Sequence, residues 1–547
     1  MEREGPGQHP AHPAPSEPDP VTGGWAGSRW STPAALRVVE DDWPAEPTAQ
    51  RGAYDPTVEI RDGWRSITTG GRGGTPAPVA ARVAVVLDAL YWAYRDGDEV
   101  WVTARTSRQR PTGGVLHPVD KRCIRATAAA CFKDLTGGRE VASTSALAAA
   151  QVAWEGTAAP LGEPTWLRWG RDTTGGLWWD PGGGDDRCVK IDRDGWQVAE
   201  RPGCWFRRPG AFPVMPLPEK GGDLDELWRF VPCEPADRPL VLAWMLAATQ
   251  PDPDFAAGVL YLTGSEGTAK TTSAETIARV AGAPAQPARI RRHDDRDLLY
   301  AANAGWTLLL DNVSALDAEQ SDLLCTLVTG FHETVRTLYT TVDTTTLALR
   351  RPIILTSIGL PGLRPDLIQR MVPVRLQDIP GSSRRTRHDL SAELAEKLPG
   401  LLAGLLELLS ACLAAEETAP HGLPRLADLG LLAARADRLA GTDTLSRLRY
   451  RQRQLTSEAV GDEDPFFAAL RARVTHPWAG TAAERHRLLD PAGDLARAHR
   501  DWPTAKGVSA RLDRHRHALT DAGWTVERIE ATPGSGRGVT WALTPPG

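Results

Sequence analysis

The sequence is poor in lysine, tyrosine and phenylalanine, and it has no closely spaced pair of cysteines. Of its 63 basic side chains only seven are lysine, and its 20 tryptophans outnumber tyrosine and phenylalanine together. This bias is typical of a GC-rich genome, so the arginine excess alone does not indicate nucleic-acid binding. The formal net charge of −6 excludes a uniformly basic coat protein but not a local basic patch.

The seven cysteines are scattered, and none forms a CxxC pair. This spacing argues against a zinc site or a disulfide framework and favours thiols in a reducing cytoplasm. The N-terminus lacks the apolar core of a signal peptide. The longest apolar stretch, 401–415, contains Glu407 and is too short to span a bilayer. We therefore expect a cytoplasmic protein that does not enter the membrane, with this stretch as a buried helix.

The chain is long enough for three or four domains. Residues 1–52 are acidic and rich in proline, and we predict that they are disordered. Four further segments are predicted: a tryptophan-rich mixed α+β region (53–220), a region of alternating strands and helices (221–383), a helical segment (384–458) and a C-terminal unit (459–547).

Three apolar strands are predicted at 258–263, 306–310 and 351–355, with helices between them. Buried strands that alternate with helices predict an α/β fold with a parallel sheet. Two β-rich runs within 335–350 predict a hairpin between the second and third strands. Nearer the N-terminus, the apolar spacing of residues 80–95 predicts a helix.

Six tryptophans between positions 166 and 205 alternate with glycine and aspartate turns. This pattern predicts a small β-rich unit. The rings either pack together in a small β core or stack on nucleic-acid bases, and packing is the more frequent arrangement.

The strongest motif is the segment 264–271, which follows the first predicted strand and precedes a helix. It fits the P-loop pattern GxxxxGK[ST], except that alanine replaces the second glycine. In such a loop, backbone N–H groups and the N-terminus of the helix converge on phosphate oxygens. The residues predicted to bind the nucleotide are Gly264, Ser265, Glu266, Gly267, Thr268, Ala269, Lys270, Thr271 and Thr272.

The neighbouring side chains predict ATP and Mg²⁺ as cofactors. Lys270 is expected to contact the β- and γ-phosphates, and the Thr271 hydroxyl to bind Mg²⁺. Asp311, at the end of the second strand, is expected to complete the Mg²⁺ site; its alternative is a helix N-cap. Asn312 follows where many such ATPases have a glutamate, and its amide can orient water but cannot accept a proton. Nucleotide binding is therefore better supported than hydrolysis.

Two further catalytic positions are predicted around the third strand. Thr356, at its end, is expected beside the γ-phosphate, although Thr356 and Ser357 equally fit an ordinary turn. Arg370 is the first choice, and Arg364 the second, for an arginine finger that reaches the nucleotide of a neighbouring subunit. The alternative for such an arginine is a surface salt bridge, for example to Asp366.

The C-terminal unit reads as three helices followed by a hairpin, which predicts a winged helix-turn-helix domain. The segment 506–517 holds four basic side chains and one acidic side chain. The predicted DNA-contacting residues are Lys506, Arg511, Arg514, Arg516 and Arg537. The alternative is a winged helix that binds protein or caps an assembly.

Four segments together resemble the ATPase module of phage, plasmid and integrative-element replication proteins. They are the phosphate loop, the segment DDRDLLYAANAGWTLLLDNVS (294–314), the hairpin, and the segment RRPIILTSIGLPGLRPDLIQR (350–370). This module is similar to superfamily 3 helicases and to the helicase half of helicase–primases. The sequence departs from the pattern at Ala269, at Thr356–Ser357, where an asparagine-type sensor is usual, and at the hairpin tip, which has no basic residue.

The resemblance implies an AAA+-like P-loop core that assembles into a homo-oligomeric, hexamer-like ring on DNA and hydrolyses ATP. By matching position, Lys270 and Thr271 would be the Walker A pair and Asp311 the Walker B acid. The hairpin would grip DNA in the channel of the ring.

We therefore predict an ATP-hydrolysing protein that acts on DNA as the replicative, helicase-like motor of a mobile element. The alternative is a nucleotide-switched, DNA-binding regulator or loader with little hydrolysis, which Asn312 and the hairpin tip favour. A nucleoside triphosphatase of a defence system is not distinguished from these by sequence.

Overall fold

The structure is a computed structural model. It describes residues 54–68, 77–97, 99–119, 121–183, 185–209, 212–290, 295–336, 344–360, 363–415, 420, 422–463, 465–491, 493–495, 502–514, 516–521, 523–529 and 540–545. The N-terminal tail predicted to be disordered lies outside these residues. The tip of the hairpin and the predicted wing, with Arg537, also lie outside them.

The first unit is a six-stranded mixed sheet with helices packed on it. Its elements are α1 (Pro56–Ser66), α2 (Val79–Leu90), β1 (Tyr91–Asp96), β2 (Glu99–Ala104), β3 (Gly114–Pro118), α3 (Lys121–Leu135), α4 (Thr144–Glu155), β4 (Ala159–Pro160), β5 (Thr165–Trp166) and, later in the chain, β10 (Trp205–Arg207). The strand order is β4-β1-β2-β3-β10-β5. The helix predicted at 80–95 ends at Leu90, because the aromatic residues that follow pair with β2.

A four-stranded antiparallel meander follows, formed by β6 (Trp169–Arg171), β7 (Leu177–Trp179), β8 (Cys188–Asp192) and β9 (Gly195–Ala199). Trp169 and Trp179 are fully buried. Their indole N–H groups donate to the carbonyl oxygens of Ala281, at 3.2 Å, and Gly282, at 2.7 Å. These tryptophans therefore pack inside the protein instead of presenting rings to bases.

A five-stranded sheet forms the centre of the molecule, and all of its neighbouring strands are parallel. The elements of this region are α5 (Arg238–Ala248), β11 (Val259–Thr263), α6 (Lys270–Val280), β12 (Gln286–Ala288), α7 (Arg296–Ala304), β13 (Leu308–Leu310), α8 (Ala318–Thr329), β14 (Phe331–Arg336), β15 (Thr344–Leu349), β16 (Ile353–Ser357), α9 (Pro365–Ile368) and β17 (Met371–Arg375).

The strand order of this sheet is β12-β13-β16-β11-β17. The prediction of an α/β fold with a parallel sheet is thus confirmed, and the three predicted strands are the three central ones. The edge strands β12 and β17 were not predicted. The predicted hairpin is present as the antiparallel pair β14 and β15.

Three long helices follow: α10 (Arg387–Ala414), α11 (Ala427–Ala440) and α12 (Thr444–Glu463). In the described part of the chain, α10 is the one helix long and apolar enough to cross a membrane, and 56% of its apolar window is buried inside the protein. It packs on α6, on α11 and on the meander, as a core helix does. No disulfide bond joins any of the seven cysteines, all of which the structure describes, and five of them are buried.

The C-terminal unit contains α13 (Pro465–Arg473), β18 (Trp478–Thr481), α14 (Ala482–Leu489), α15 (Ala505–Arg514), α16 (Arg516–Asp521), β19 (Thr525–Ile529) and β20 (Thr540–Thr544). Its antiparallel sheet has the order β18-β20-β19, around a core that includes Phe466, Leu512 and Trp541. Within the part of this unit predicted to hold three helices, residues 478–481 instead form the strand β18, because they pair with β20.

Candidate nucleotide-binding site

The phosphate loop connects the end of β11 to the first turn of α6. Gly264 has no space for a side chain, since a Cβ there would lie 2.7 Å from Thr268 Oγ1. Gly267 has φ +81°, a conformation that glycine adopts without steric cost. Thr268 is buried and donates to the Ser265 carbonyl oxygen at 3.0 Å, which closes the loop on itself.

Ala269 stands at the N-cap of α6 with φ +57° and ψ +34°, the left-handed conformation. An L-residue other than glycine pays roughly 1–2 kcal/mol there. No side chain caps the helix, whose first turn contains Lys270, Thr271 and Thr272. The backbone N–H groups at such a helix end form an anion-binding position. Although alanine replaces the usual glycine at this position, the backbone keeps the left-handed conformation of the loop, at a local cost in strain.

Lys270 lies over the phosphate loop. Its Nζ donates to the carbonyl oxygens of Gly264, at 2.9 Å, and Ser265, at 2.7 Å. Burial lowers the pKa of this ammonium group, and the carboxylates of Glu266 and Asp311 act in the opposite direction. The ammonium group is thus held at the loop by backbone acceptors that an anionic ligand can replace.

Thr271 and Asp311 meet at the carboxyl end of the sheet. The Thr271 hydroxyl donates to Asp311 Oδ1, at 3.0 Å, and Oδ2, at 2.9 Å. The buried Thr356 hydroxyl donates to Asp311 Oδ1 at 2.6 Å. The structure therefore brings three sequence-predicted residues from α6, the end of β13 and β16 into direct contact.

Asn312 adopts the left-handed conformation, with φ +55°. Asparagine tolerates this conformation better than most residues. Its backbone N–H donates to Thr356 Oγ1 at 2.8 Å, and its side chain is exposed. The alternative role of Asp311 as an N-cap is not realised, because Asp317 caps α8 through a capping box with Gln320.

Ser357 forms the ordinary turn that the sequence analysis gave as the alternative for this pair of residues. Its Oγ donates to the Gly359 carbonyl oxygen at 2.9 Å and accepts from the Gly359 N–H at 3.1 Å. Thr356 and Ser357 are equally buried, but only Thr356 contacts Asp311.

Mg²⁺ fits the side chains at this position. A hydroxyl oxygen and a carboxylate are hard oxygen donors, and Mg²⁺ is typically held by one or two carboxylates together with phosphates and water. Within the described residues no cluster of three or more histidine, cysteine, aspartate or glutamate side chains could hold a metal ion. A metal at Thr271 and Asp311 would thus depend on ligand oxygens as well as on protein.

A cavity of about 670 Å³ opens beside Thr271 and Asp311. Glu275, Asp297 and the exposed ring of Tyr300 also line it. Space for a ligand is therefore present next to the two oxygen donors.

Arg384 is a site residue that the sequence did not reveal. A methyl group placed on Gly267 would lie 3.2 Å from Arg384 Nη2, so the guanidinium lies against the phosphate loop. Among the described residues no partner accepts a hydrogen bond from this guanidinium. Its neighbours are paired, Arg385 with Glu393 and Arg387 with Glu275. No local motif signals Arg384, because only the tertiary fold brings it to the loop.

Arg370 lies away from the phosphate loop, directly before β17 and thus at the opposite end of the sheet. Its side chain is 11% exposed and forms an ion pair with Asp366. In this single chain Arg370 therefore takes the salt-bridge alternative, and its role as an arginine finger towards a neighbouring subunit stays a prediction. Arg364 is exposed and pairs with Asp322 at 2.8 Å.

The arginines at the end of the hairpin are anchored inside the protein. Arg351 donates to the carbonyl oxygens of Ala302, at 2.6 Å, and Gly305, at 3.0 Å, and burial lowers its pKa to about 10. Arg350 is half-buried, and burial lowers its pKa to about 10 as well. Neither guanidinium is presented to a DNA strand.

The predicted DNA-contacting residues lie on the last helices of the C-terminal unit. Lys506, Arg511 and Arg514 belong to α15, and Arg516 begins α16. Arg511 is half-buried and Arg516 is exposed. Ser509, on the same helix, accepts a hydrogen bond from Trp541 Nε1 at 3.2 Å and is thus part of the packing.

Two family models match the chain. Residues 224–458 match the model described as actinomycete integrative conjugative element replication protein. Residues 466–546 match the model described as the AICE RepA C-terminal domain. The two regions together include more than half of the chain, with the phosphate loop in the first and α15 in the second. No curated protein matches the chain.

Several solved structures are similar to parts of the chain. The apo structure of the NrS-1 C-terminal region has 10% identity and a TM-score of 0.36, covering 85% of this chain and 98% of that one. A putative ATPase from Cytophaga hutchinsonii has 14% identity and a TM-score of 0.25, covering 42% and 82%. JCV helicase has 14% identity and a TM-score of 0.21, covering 41% and 64%.

Proposed function

We propose that this chain, whose two matched regions belong to the replication-protein family of actinomycete integrative elements, binds and hydrolyses ATP and acts on DNA as a helicase-like motor. One observation carries the proposal. Lys270, Thr271 and Asp311 meet at the carboxyl end of a parallel sheet, beside an uncapped helix N-terminus. Open α/β sheets bind ligands at that end.

The residues have separate roles in this proposal. The loop from Gly264 to Thr272 surrounds the phosphates with N–H groups, and Lys270 exchanges its two carbonyl partners for phosphate oxygens. Thr271 and Asp311 hold Mg²⁺, which would neutralise charge on the phosphates. Arg384, whose guanidinium has no acceptor among the residues that the structure describes, adds a further contact to the same anion.

DNA is the proposed partner, and the C-terminal unit is its proposed winged-helix binding domain. Lys506, Arg511, Arg514, Arg516 and Arg537 are the proposed contacts, supported by the local excess of basic side chains on 506–517. A homo-oligomeric ring is proposed from the resemblance of the ATPase module. No arginine finger is assigned to Arg370, because its guanidinium is already paired with Asp366.

A nucleotide-switched regulator or loader is the second candidate. Asn312 favours it, because the residue after Asp311 has no carboxylate to take a proton from water. In that case ATP would change the shape or assembly of the protein and would be hydrolysed slowly.

The test is ATP hydrolysis by the full chain, with and without single-stranded DNA, compared with Lys270→Ala. Loss of the ammonium group should reduce hydrolysis by at least about 100-fold and abolish nucleotide binding. Lys397→Ala is the control, since that lysine pairs with Glu226 outside the loop. Equal hydrolysis by Lys270→Ala and the wild type would refute the site. Nucleotide-dependent binding of duplex DNA without DNA-stimulated hydrolysis would favour the regulator.

A further inference from the structure

Thr356 uses both hydrogen-bonding functions of its hydroxyl within the protein. It donates its hydrogen to Asp311 Oδ1, at 2.6 Å, and it accepts the Asn312 N–H, at 2.8 Å. The residue is 1% exposed, so its own hydroxyl has little access to water. A hydroxyl engaged in this way has no second hydrogen to offer a phosphate oxygen.

The two bonds hold the end of β13 in an unusual conformation. Asn312 has φ +55°, and the bond from its N–H to Thr356 stabilises the turn that this conformation makes. The bond to Asp311 Oδ1 leaves that carboxylate directed towards Thr271, whose hydroxyl reaches both of its oxygens. One hydroxyl on β16 therefore fixes the backbone and the carboxylate on the neighbouring strand together.

We propose that Thr356 is a positioning residue for the Mg²⁺ site and not a contact to the γ-phosphate. It orients the Asp311 carboxylate towards the metal position and holds Asn312 in its left-handed turn. Residues that hydrogen-bond a metal-binding carboxylate typically change metal affinity by about 10–100-fold when they are removed. This inference rests on the proposed function, because it assigns a role to Thr356 within the same nucleotide site.

The test is ADP binding to the full chain, measured in Mg²⁺ and in EDTA, for the wild type, Thr356→Val and Thr356→Ser. ADP lacks a γ-phosphate, so a direct contact to that group cannot contribute to the result. We expect Thr356→Val to weaken the Mg²⁺-dependent part of ADP affinity by about 10-fold or more. Affinity in EDTA should stay unchanged, and Thr356→Ser, which keeps the hydroxyl, should restore the Mg²⁺ effect.

Ser357→Ala is the matched control. Ser357 is the next residue on the same strand and is equally buried, but its hydroxyl bonds to Gly359 and Tyr261 and not to Asp311 or Asn312. It should bind ADP as the wild type does in both conditions. Hydrogen exchange of the ligand-free chain gives a second measurement: Thr356→Val should speed exchange of the Asn312 amide, and Ser357→Ala should not.

The outcomes separate this inference from the proposed function. Equal loss of ADP affinity in Mg²⁺ and in EDTA would show a general structural defect and overturn the positioning role. Loss with an ATP analogue alone, and none with ADP, would restore the γ-phosphate contact and overturn it as well. A wild-type chain that binds ADP in neither condition would refute the proposed function and, with it, this inference.

Discussion

At the carboxyl end of the central sheet, Lys270 and Arg384 approach the phosphate loop, and no carboxylate of the described part of the chain is paired with either. At the amino end of the same sheet, Arg370 is buried and shares Asp366 with Arg425. The sequence marks one cation at each end, Lys270 and Arg370, as a candidate for catalysis. The two ends differ in whether the positive charge is paired with a carboxylate. At the carboxyl end Lys270 bonds to backbone carbonyl oxygens, which an anion can replace, whereas at the amino end Arg370 forms an ion pair with Asp366.

This difference follows from the polarity of a parallel sheet. All five strands end on the same side, so loops and helix N-termini collect there and expose polar groups. At the opposite end each strand begins, and Arg370 is buried there, directly before the first residue of β17. A charged side chain in this fold therefore has to be judged by the end of the strand at which it stands.

Arg370→Met tests the amino end. Removing the buried guanidinium removes its bonds to the Asp366 carboxylate and, at 2.9 Å, to the Asp366 carbonyl oxygen, and we expect the free energy of unfolding to fall by about 1–3 kcal/mol. ADP affinity should remain within about twofold of the wild type, since the two sites lie at opposite ends of the strands. Chemical denaturation and ADP titration measure the two effects.

Arg364→Met is the control for this change, because its exposed pair with Asp322 should contribute only about 0–1 kcal/mol. Normal stability of Arg370→Met combined with lost hydrolysis would contradict the internal role of Arg370 and support an arginine finger.

Arg384→Ala tests the carboxyl end. Loss of a free guanidinium beside Gly267 should weaken MgATP binding by about 10-fold, the size of one charge-assisted contact. Arg385→Ala is the control, since Arg385 is already paired with Glu393. Titration with a fluorescent ATP analogue measures both variants. Equal affinities for the two would show that Arg384 is a surface arginine without a role in binding.

Ala269→Gly has the smallest expected effect. Glycine removes the strain of the left-handed N-cap, and we expect a gain of about 0.5–1 kcal/mol in the free energy of unfolding. Ala278→Gly, in the buried interior of the same helix, should instead lose about 1 kcal/mol. Thermal denaturation compares the two. A loss of stability in both variants would show that Ala269 is not strained.

The sequence was informative where a signal is local. The phosphate loop, Asp311 at a strand end and the three central strands are each recognisable within a short window. The edge strands β12 and β17 were not predicted, because each contains a proline, Pro287 or Pro373, and each is defined by pairing with distant segments.

The candidate site shows the same limit. Lys270, Thr271 and Asp311 were predicted from type and spacing, whereas the pairing state of a side chain is a property of the folded protein. Arg370 and Arg384 look alike in sequence, and only the tertiary contacts show that one is paired with Asp366 and the other lies at the phosphate loop. The hydroxyls of Thr356 and Ser357 differ in role for the same reason.

The four-stranded meander is hydrogen-bonded to the residues at the C-terminal end of α6, the helix that follows the phosphate loop. Trp169 and Trp179 hold the carbonyl groups that follow α6, and Gly282 leaves no room there for a side chain, since a Cβ would lie 2.7 Å from Trp179 Nε1. A fragment cut at residue 221 would lose these two indoles and expose the apolar surface beneath them. Expression of the nucleotide-binding region for crystallisation or screening should therefore start upstream of Trp169, so that α6 keeps its anchor.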